Sequence, residues 1–180
     1  MGSNAHPGPG AHADGCHRFP VSVVRAWSVL KRVQRLSTHV LESRYPAHAG
    51  SGNGIVERDL HGQELIFDER GTWMLPNGTG TAFRNRCRWR LEEKLLTLEH
   101  LRHGEGNPVV LAVFEPREGN VLRPKAPHWC DPDTYDVEMV FEHTAVTLYW
   151  TVAGPAKDYR MRTVYSADSA LPSDTSDSLA

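Results

Sequence analysis

The sequence predicts an all-β protein, in which one antiparallel sheet closes into a barrel. Three observations lead to this fold class. Apolar and polar residues alternate with a period of two in several segments. Turn-forming residues such as Pro76-Asn77-Gly78 separate those segments. The strands follow one another along the chain without intervening helical segments, and a long meander of this kind avoids exposed edges by closing. A β-sandwich is the main alternative.

The clearest strand is the segment from Thr81 to Leu91. Its apolar residues share one face and its arginines share the other, because alternate side chains of a strand point to opposite faces. We predict ten strands, over residues 26–34, 54–60, 63–73, 80–91, 95–103, 108–116, 119–126, 136–142, 145–153 and 158–165. The only segment that also suits a helical period is Val21 to Tyr45, so the predicted barrel has room for a short N-terminal helix.

The length of 180 residues suits one domain with a proper core. Residues 1–20 are rich in Gly, Pro and His, and residues 167–180 are rich in Ser, Asp and Ala. Both ends lack periodicity and are predicted to be disordered. The domain is therefore expected to span residues 21–166.

Charge and composition exclude several functional classes. The net charge of −2 provides no basic field for nucleic acid, and no apolar run is long enough to cross a bilayer. Three cysteines without CxxC spacing argue against a disulfide framework and a zinc site, and favour a reducing compartment. A cytoplasmic location is expected, with a mitochondrial one as the alternative because residues 18–35 are basic and lack acids.

A first candidate site lies in the loop before the strand at 136–142, where titratable residues cluster. His128 and Cys130 are two positions apart, so an extended chain would place them on the same side, and Asp133 and Tyr135 follow. The group could contact a polar ligand or, less readily, hold a metal ion. The structural alternative is that Asp133 caps the turn, Tyr135 packs and Cys130 is a small buried hydrophobe.

Two further groups carry positive charge. Lys157, Tyr159 and Arg160 open the last strand, where a fixed cation at the mouth of the barrel could hold a carboxylate or phosphate. The alternative is an Asp-Arg pair that seals the end of the barrel. Arg86 belongs to the arginine stripe opposite Trp89, and this stripe could be a solvated face paired with Glu99 or Glu57, a cationic lumen or a nucleic-acid surface. Basic and aromatic residues lie on opposite faces there, which argues against nucleic acid.

Several segments together resemble domain-of-unknown-function family 6314. Residues 126–135 resemble its H-x-C-x-x-D-x-Y segment, and residues 150–160 resemble its closing W-x-V-x-G-P-x-K-D-Y-R, with the final tyrosine of the family at Tyr165. Three shorter patterns of the family, W-x-x-x-x-R, L-x-Y-x-E-x-G and R-Y-x-W-R, resemble residues 27–32, 65–71 and 86–90 in turn. Phe67 stands where the second pattern has its tyrosine, and Cys87 stands where the third has an aromatic residue. The resemblance implies a lipocalin-like (calycin) barrel over residues 26–165 and implies no particular activity. Where the family tends to carry Phe-His, this chain has Val109-Val110.

Three functions remain open. A binding barrel would take an apolar ligand with an anionic group, lined or plugged by aromatic residues. An enzyme would use His128, Asp133 and Tyr135 as acid–base groups. An interaction module would present an outer apolar patch. The sequence has no nucleophile motif or phosphate loop, and it does not indicate a cofactor. A haem with one axial histidine is a sub-case of binding, with three unranked candidates, His100, His128 and His143.

Overall fold

The computed structural model describes residues 20–167 of the chain. The predicted disordered ends, residues 1–20 and 167–180, therefore lie outside the described residues except for Pro20 and Ala167. Pro20 precedes the first helix, and the Ala167 amide donates to the Thr144 carbonyl at 3.0 Å.

The described chain contains one α-helix, one short 3₁₀ turn and eleven strands. The helix α1 is Val21–Leu30, and the 3₁₀ turn is Pro46–His48. The strands are β1 Arg35–Ser43, β2 Ser51–His61, β3 Glu64–Met74, β4 Gly80–Glu92, β5 Leu95–His100, β6 Val109–Pro116, β7 Val121–Pro124, β8 His128–Cys130, β9 Asp133–Phe141, β10 Ala145–Ala153 and β11 Asp158–Ser166.

Ten of the strands close into an antiparallel barrel, which confirms the predicted fold class. The strands β1 to β7 pair in sequence order, β9 follows β7, and β10 and β11 return to β1. The short strand β8 lies outside this circuit and pairs only with β9. Closure leaves each of the ten strands with two neighbours, so the long meander has no free edge.

The prediction of a strand over residues 26–34 is wrong, because this segment belongs to α1 and the turn after it. Val23, Ala26, Trp27 and Leu30 are buried at the i, i+3, i+4, i+7 spacing of one helical face. This face packs against β5, β6, β7, β9 and β10 at one end of the barrel. The first strand instead begins at Arg35, so the predicted helix is confirmed. The strand β8 was not predicted.

The barrel has a packed half and a hollow half. The packed half adjoins α1 and is filled by large buried side chains, including Phe67, Trp89, Phe114 and Met139. Trp89 stacks on Phe114 with 6.1 Å between ring centroids. The other half, at the end where β1–β2, β3–β4 and β10–β11 turn, holds a cavity between the strands. The helix therefore closes one end, and the site is built toward the other.

The arginine stripe of β4 lies on the outer face of the barrel and pairs with acids of β5 and of the loop that follows it. Arg88 donates to Glu99 at 2.6 Å, and Arg90 lies 3.4 Å from the same carboxylate. Arg86 pairs with Glu105 at 2.7 Å. Of the expected alternatives, an outer face paired with Glu99 is the arrangement observed, whereas Glu57 pairs with Arg70 of β3 and not with the stripe.

Candidate functional site

The hollow half of the barrel contains a cavity of about 290 Å³. Its walls are mostly apolar, and its polar atoms are concentrated on a few side chains. The lining residues are Leu36, Thr38, Glu69, Trp73, Phe83, Asn85, Cys87, Leu98, His100, Leu111, Leu148, Trp150, Met161, Thr163 and Tyr165. A concave, largely apolar site with a few convergent polar groups is the usual form of a small-molecule site.

A buried carboxyl group, that of Glu69, forms the polar centre of this cavity. Glu69 lies on the inward face of β3, and only 3% of the residue is exposed. Its Oε1 accepts hydrogen bonds from the Tyr165 hydroxyl at 2.8 Å and from the Cys87 thiol at 3.6 Å. Its Oε2 accepts from the Asn85 amide at 2.8 Å. Three neutral donors from β4 and β11 therefore converge on one carboxyl group.

Burial and hydrogen bonding act in opposite directions on this carboxyl group. Burial raises the pKa of Glu69 above that of an ordinary glutamate, while the bonds from Asn85, Tyr165 and Cys87 lower it in part. Burial and the neighbouring carboxylate also raise the pKa values of the Tyr165 hydroxyl and the Cys87 thiol well above their usual ranges. Both groups are therefore protonated donors at neutral pH, and Cys87 is not a reactive thiolate.

Glycines open the space above Glu69, and aromatic rings occupy it. Gly71 pairs with Gly54 across β2 and β3, and a Cβ on Gly71 would lie 2.1 Å from the Asn53 carbonyl oxygen. The Phe83 ring covers this bare backbone, since it would lie 2.7 Å from the same Cβ. Trp73 lies four residues beyond Glu69 on the same strand, which is ~13 Å at 3.3 Å per residue. The cavity therefore runs from a carboxyl group to an aromatic mouth.

No lysine or arginine lines the cavity among residues 20–167. The one lining residue that could carry positive charge is His100, at the end of β5. Partial burial is the main cause that lowers its pKa, followed by the charges of Arg102 and His103. The His100 imidazole is therefore neutral at pH 7, and Glu69 has no charged partner in the cavity wall.

A second polar cluster lies at the same end of the barrel, at the start of β9 and β11. Lys157 Nζ is 2.7 Å from Asp133 Oδ2 and donates to the Tyr135 hydroxyl at 2.8 Å. These bonds raise the pKa of Lys157. Gly154 lies so close that a Cβ there would be 2.0 Å from Asp133 Oδ1. This Lys157–Asp133–Tyr135 cluster ties the β8–β9 segment to the β10–β11 turn.

The other predicted ligand-binding residues are distributed around this cluster, over the outer face and in the core. Tyr159 is half-buried beside His48, and the His128 ring lies 6.1 Å from that of Tyr135. Cys130 is an exposed free thiol, and Arg160 lies 3.5 Å from Glu42 on the outside. Arg86 faces outward, and Trp89 is buried in the packed half with its indole nitrogen unpaired. None of the nine predicted residues appears among the described residues that line the cavity.

Sequence reasoning missed the residues at the centre of the cavity. Glu69 stands on the apolar face of a predicted strand, a face that it shares with Leu65, Phe67 and Trp73. An acid at such a position must be buried, and a buried acid needs donors or a cation. That signal was available from the period of two alone. The partners Asn85 and Cys87 lie on the equivalent face of the next strand, and β3–β4 pairing places them opposite Glu69 and Phe67.

The comparison with family models decides the membership of the chain. The model of a family of unknown function, DUF6314, matches residues 26–167. The chain belongs to DUF6314. No curated protein matches the chain.

The two C-terminal segments that resemble DUF6314 meet in three dimensions. Asp133 and Tyr135 come from one segment, and Gly154 and Lys157 come from the other. The glutamate of the L-x-Y-x-E-x-G pattern is Glu69, and it accepts one of its three hydrogen bonds from Tyr165, at the position of the pattern's final tyrosine. Three of the segments that resemble DUF6314, residues 65–71, 126–135 and 150–160, therefore meet at the cavity and at the cluster above it.

Two absences concern the part of the chain that the structure describes. Residues 20–167 contain no group of three or more His, Cys, Asp or Glu side chains arranged to hold a metal ion. The same residues form no helix that is both long and apolar enough to cross a membrane.

Proposed function

We propose that this DUF6314 protein is a small-molecule-binding barrel, and that its ligand occupies the cavity above Glu69. The observation that carries the proposal is the combination of a hollow barrel half with a buried, hydrogen-bonded carboxyl group inside it. Burying a carboxyl group costs free energy, and barrel interiors are otherwise filled with apolar side chains. A polar group retained at such a cost inside an open cavity is characteristic of a recognition site.

The size of the cavity limits the ligand. An engineered apolar cavity of about 150 Å³ is large enough for benzene. A volume of about 290 Å³ therefore has room for a bicyclic ring with a short arm. Trp73, Phe83 and Trp150 supply aromatic walls for an apolar body, and Glu69 supplies an acceptor for one polar end.

The sequence led us to expect an anionic group on the ligand, held by Lys157 or Arg160. Lys157 is already bonded to Asp133 and Tyr135, and Arg160 faces Glu42 on the outside. A ligand carboxylate would also meet Glu69 with no cation between them. These contacts favour a polar end that donates hydrogen bonds over an anionic one.

The enzyme hypothesis has less support than binding. It assigned acid–base roles to His128, Asp133 and Tyr135, yet Asp133 and Tyr135 are bonded to Lys157 outside the cavity lining.

The cellular compartment is also a proposal. Cys87 and Cys130 are both free thiols, and this supports the reducing, cytoplasmic setting expected from cysteine usage.

The test combines native mass spectrometry of the freshly purified full chain with calorimetric titration of indole. The variant Leu111→Trp fills the cavity, while Val110→Trp adds the same ring at an exposed position of the same strand. We expect extra mass on the purified chain or saturable indole binding, lost in Leu111→Trp and kept in Val110→Trp. A bare mass together with no indole binding, or equal binding by both variants, would contradict the proposal.

A further inference from the structure

The hydrogen bonds that the protein makes to Glu69 favour the ionised form of its carboxyl group over the protonated form. All three of its hydrogen-bond partners act as donors toward it, two on Oε1 and one on Oε2. A protonated carboxyl group would have to turn the Tyr165 hydroxyl or the Cys87 thiol from a donor into an acceptor of its proton, whereas an ionised one uses every donor that surrounds it. The polar lining is therefore complementary to a carboxylate.

Within residues 20–167, that carboxylate has no cationic side chain bonded to it. The salt bridges of the neighbouring strands lie on the outer face, as with Arg70 and Glu57 or Arg88 and Glu99. Within the described lining, His100 is the only residue besides Glu69 that could carry charge near neutral pH, and its imidazole is neutral. A buried carboxylate without a cation is costly, and this cost falls when a positive group enters.

The walls between Glu69 and the mouth suit a cation with an apolar body. Trp73, Phe83 and Trp150 line the route to the carboxyl group. Aromatic faces attract cations through their quadrupole, and they also remove apolar ligand surface from water. A neutral ligand would gain from the walls alone, while a cationic one would gain from the walls and from Glu69.

We infer that the ligand of this cavity is a small organic ammonium compound, with its charged nitrogen at Glu69 and its apolar body against Trp73, Phe83 and Trp150. This inference deepens the proposed function and rests on it, because it presupposes that the cavity binds small molecules. The ring system must be about bicyclic in size, and the arm must reach the carboxyl group within a depth of ~13 Å.

The test compares three probes that share an indole ring and a two-carbon arm: tryptamine, tryptophol and indole-3-propionate. They end in an ammonium, a hydroxyl and a carboxylate. Calorimetric titration at pH 7.5 should give tryptamine an affinity about tenfold above that of tryptophol, since a charge-assisted bond is roughly twice as strong as a neutral one. Indole-3-propionate should bind most weakly of the three.

Two variants separate the carboxyl group from net charge. Glu69→Gln keeps the size of the side chain and removes its charge, so the preference for tryptamine over tryptophol should vanish. Asp68→Asn removes one charge from the next residue, which points outward and has a half-exposed side chain paired with Arg70. That control should keep the preference.

The outcomes distinguish the inference from the function on which it rests. If the wild-type chain binds neither indole nor any of the three probes and carries no extra mass, the proposed function itself fails. If it binds indole but none of the three probes, the barrel binds small molecules but the ammonium inference is wrong. If it binds tryptophol or indole-3-propionate as tightly as tryptamine, the barrel binds small molecules but the ammonium inference is wrong. A preference for tryptamine that survives in Glu69→Gln would also overturn it. The order of affinities on the wild-type chain decides the matter even if Glu69→Gln does not fold.

Discussion

The hydrogen bond between Tyr165 and Glu69 allows a sharp prediction, because its strength depends on whether the carboxyl group is charged. The two groups are 2.8 Å apart, and both residues are buried. Tyr165→Phe removes the hydroxyl and leaves the rest of the ring in place. The loss of this bond should lower the free energy of unfolding less at low pH, where Glu69 is protonated, than at high pH, where it is a carboxylate.

The magnitudes follow from the burial of both partners. A hydrogen bond between neutral groups contributes about 1 kcal/mol, and one to a buried charged group contributes about 2–3 kcal/mol. Removing a donor also raises the pKa of Glu69 further, because the bond favours the ionised form. The free energy of unfolding of Tyr165→Phe should therefore fall below that of the wild type by about 1 kcal/mol at pH 4 and about 2–3 kcal/mol at pH 8. The difference should widen between the wild-type pKa and the higher pKa of the variant.

The assay is urea denaturation at both pH values with the slope on denaturant held common. Tyr149→Phe is the matched control, because Tyr149 lies on the outward face of β10 and is 37% exposed. It should change stability by less than about 0.5 kcal/mol at either pH. In a Glu69→Gln background, Tyr165→Phe should cost about 1 kcal/mol at both pH values. A loss for Tyr165→Phe that is the same at pH 4 and pH 8 in the wild-type background would refute the reasoning.

Three further predictions follow from the same contacts. Burial raises the pKa of Glu69, so the folded state holds this proton more tightly than the unfolded state. The free energy of unfolding of the wild type relative to Glu69→Gln should therefore fall as pH rises from the ordinary glutamate pKa through the raised one, and then level off. Parallel curves of unfolding free energy against pH from pH 4 to pH 8 would contradict this. Lys157→Met should lower the free energy of unfolding by about 1–2 kcal/mol, because it leaves an Asp133 side chain that is only 11% exposed without its cation. Arg160→Met should lower it by less than about 0.5 kcal/mol, since Arg160 and Glu42 are both exposed. Equal losses of the two variants in urea denaturation would count against the cluster. Gly71→Ala should lower the free energy of unfolding by about 3 kcal/mol or more, because its Cβ would collide with the Asn53 backbone. Gly106→Ala, whose Cβ would have no atom within 4 Å, should change it by less than about 0.5 kcal/mol. A near-neutral Gly71→Ala in urea denaturation would show that β2 and β3 can move apart.

The strands of this barrel were predictable wherever one face of a strand is buried and the other is solvated. In β4, the buried residues Cys87 and Trp89 alternate along the strand with the arginines of the outer face, so the sequence itself shows the period of two. The segment before β1 was harder. Val29 and Val33 are four positions apart and would share a face in either a helix or a strand, and only the packing of α1 against the end of the barrel decides between the two. The three-residue strand β8 is too short to show a period at all.

The cavity was less predictable than the fold because it depends on which side chains meet across strands. Glu69 and Tyr165 are 96 residues apart and form one hydrogen bond only because β11 returns to β1 and the barrel closes. Asp133 and Tyr135 were predicted as part of one candidate site and Lys157 as part of another, and the structure brings the three side chains together because two loops at one end of the barrel meet. Local sequence indicated each of these two groups but not their contact, and both that contact and the cavity required long-range pairing that periodicity alone does not specify.

The most direct test of the central claim, that the cavity above Glu69 binds small molecules, is a titration followed by methionine methyl NMR. Met161 lines the cavity, while Met139 is fully buried in the packed half and Met74 lies partly exposed at the end of β3. With tryptamine as the probe, and indole where tryptamine does not bind, we predict a saturable shift of the Met161 methyl signal with Met139 unchanged. A Met161 signal that stays in place at millimolar probe, or one that moves no more than the Met139 signal, would contradict the account.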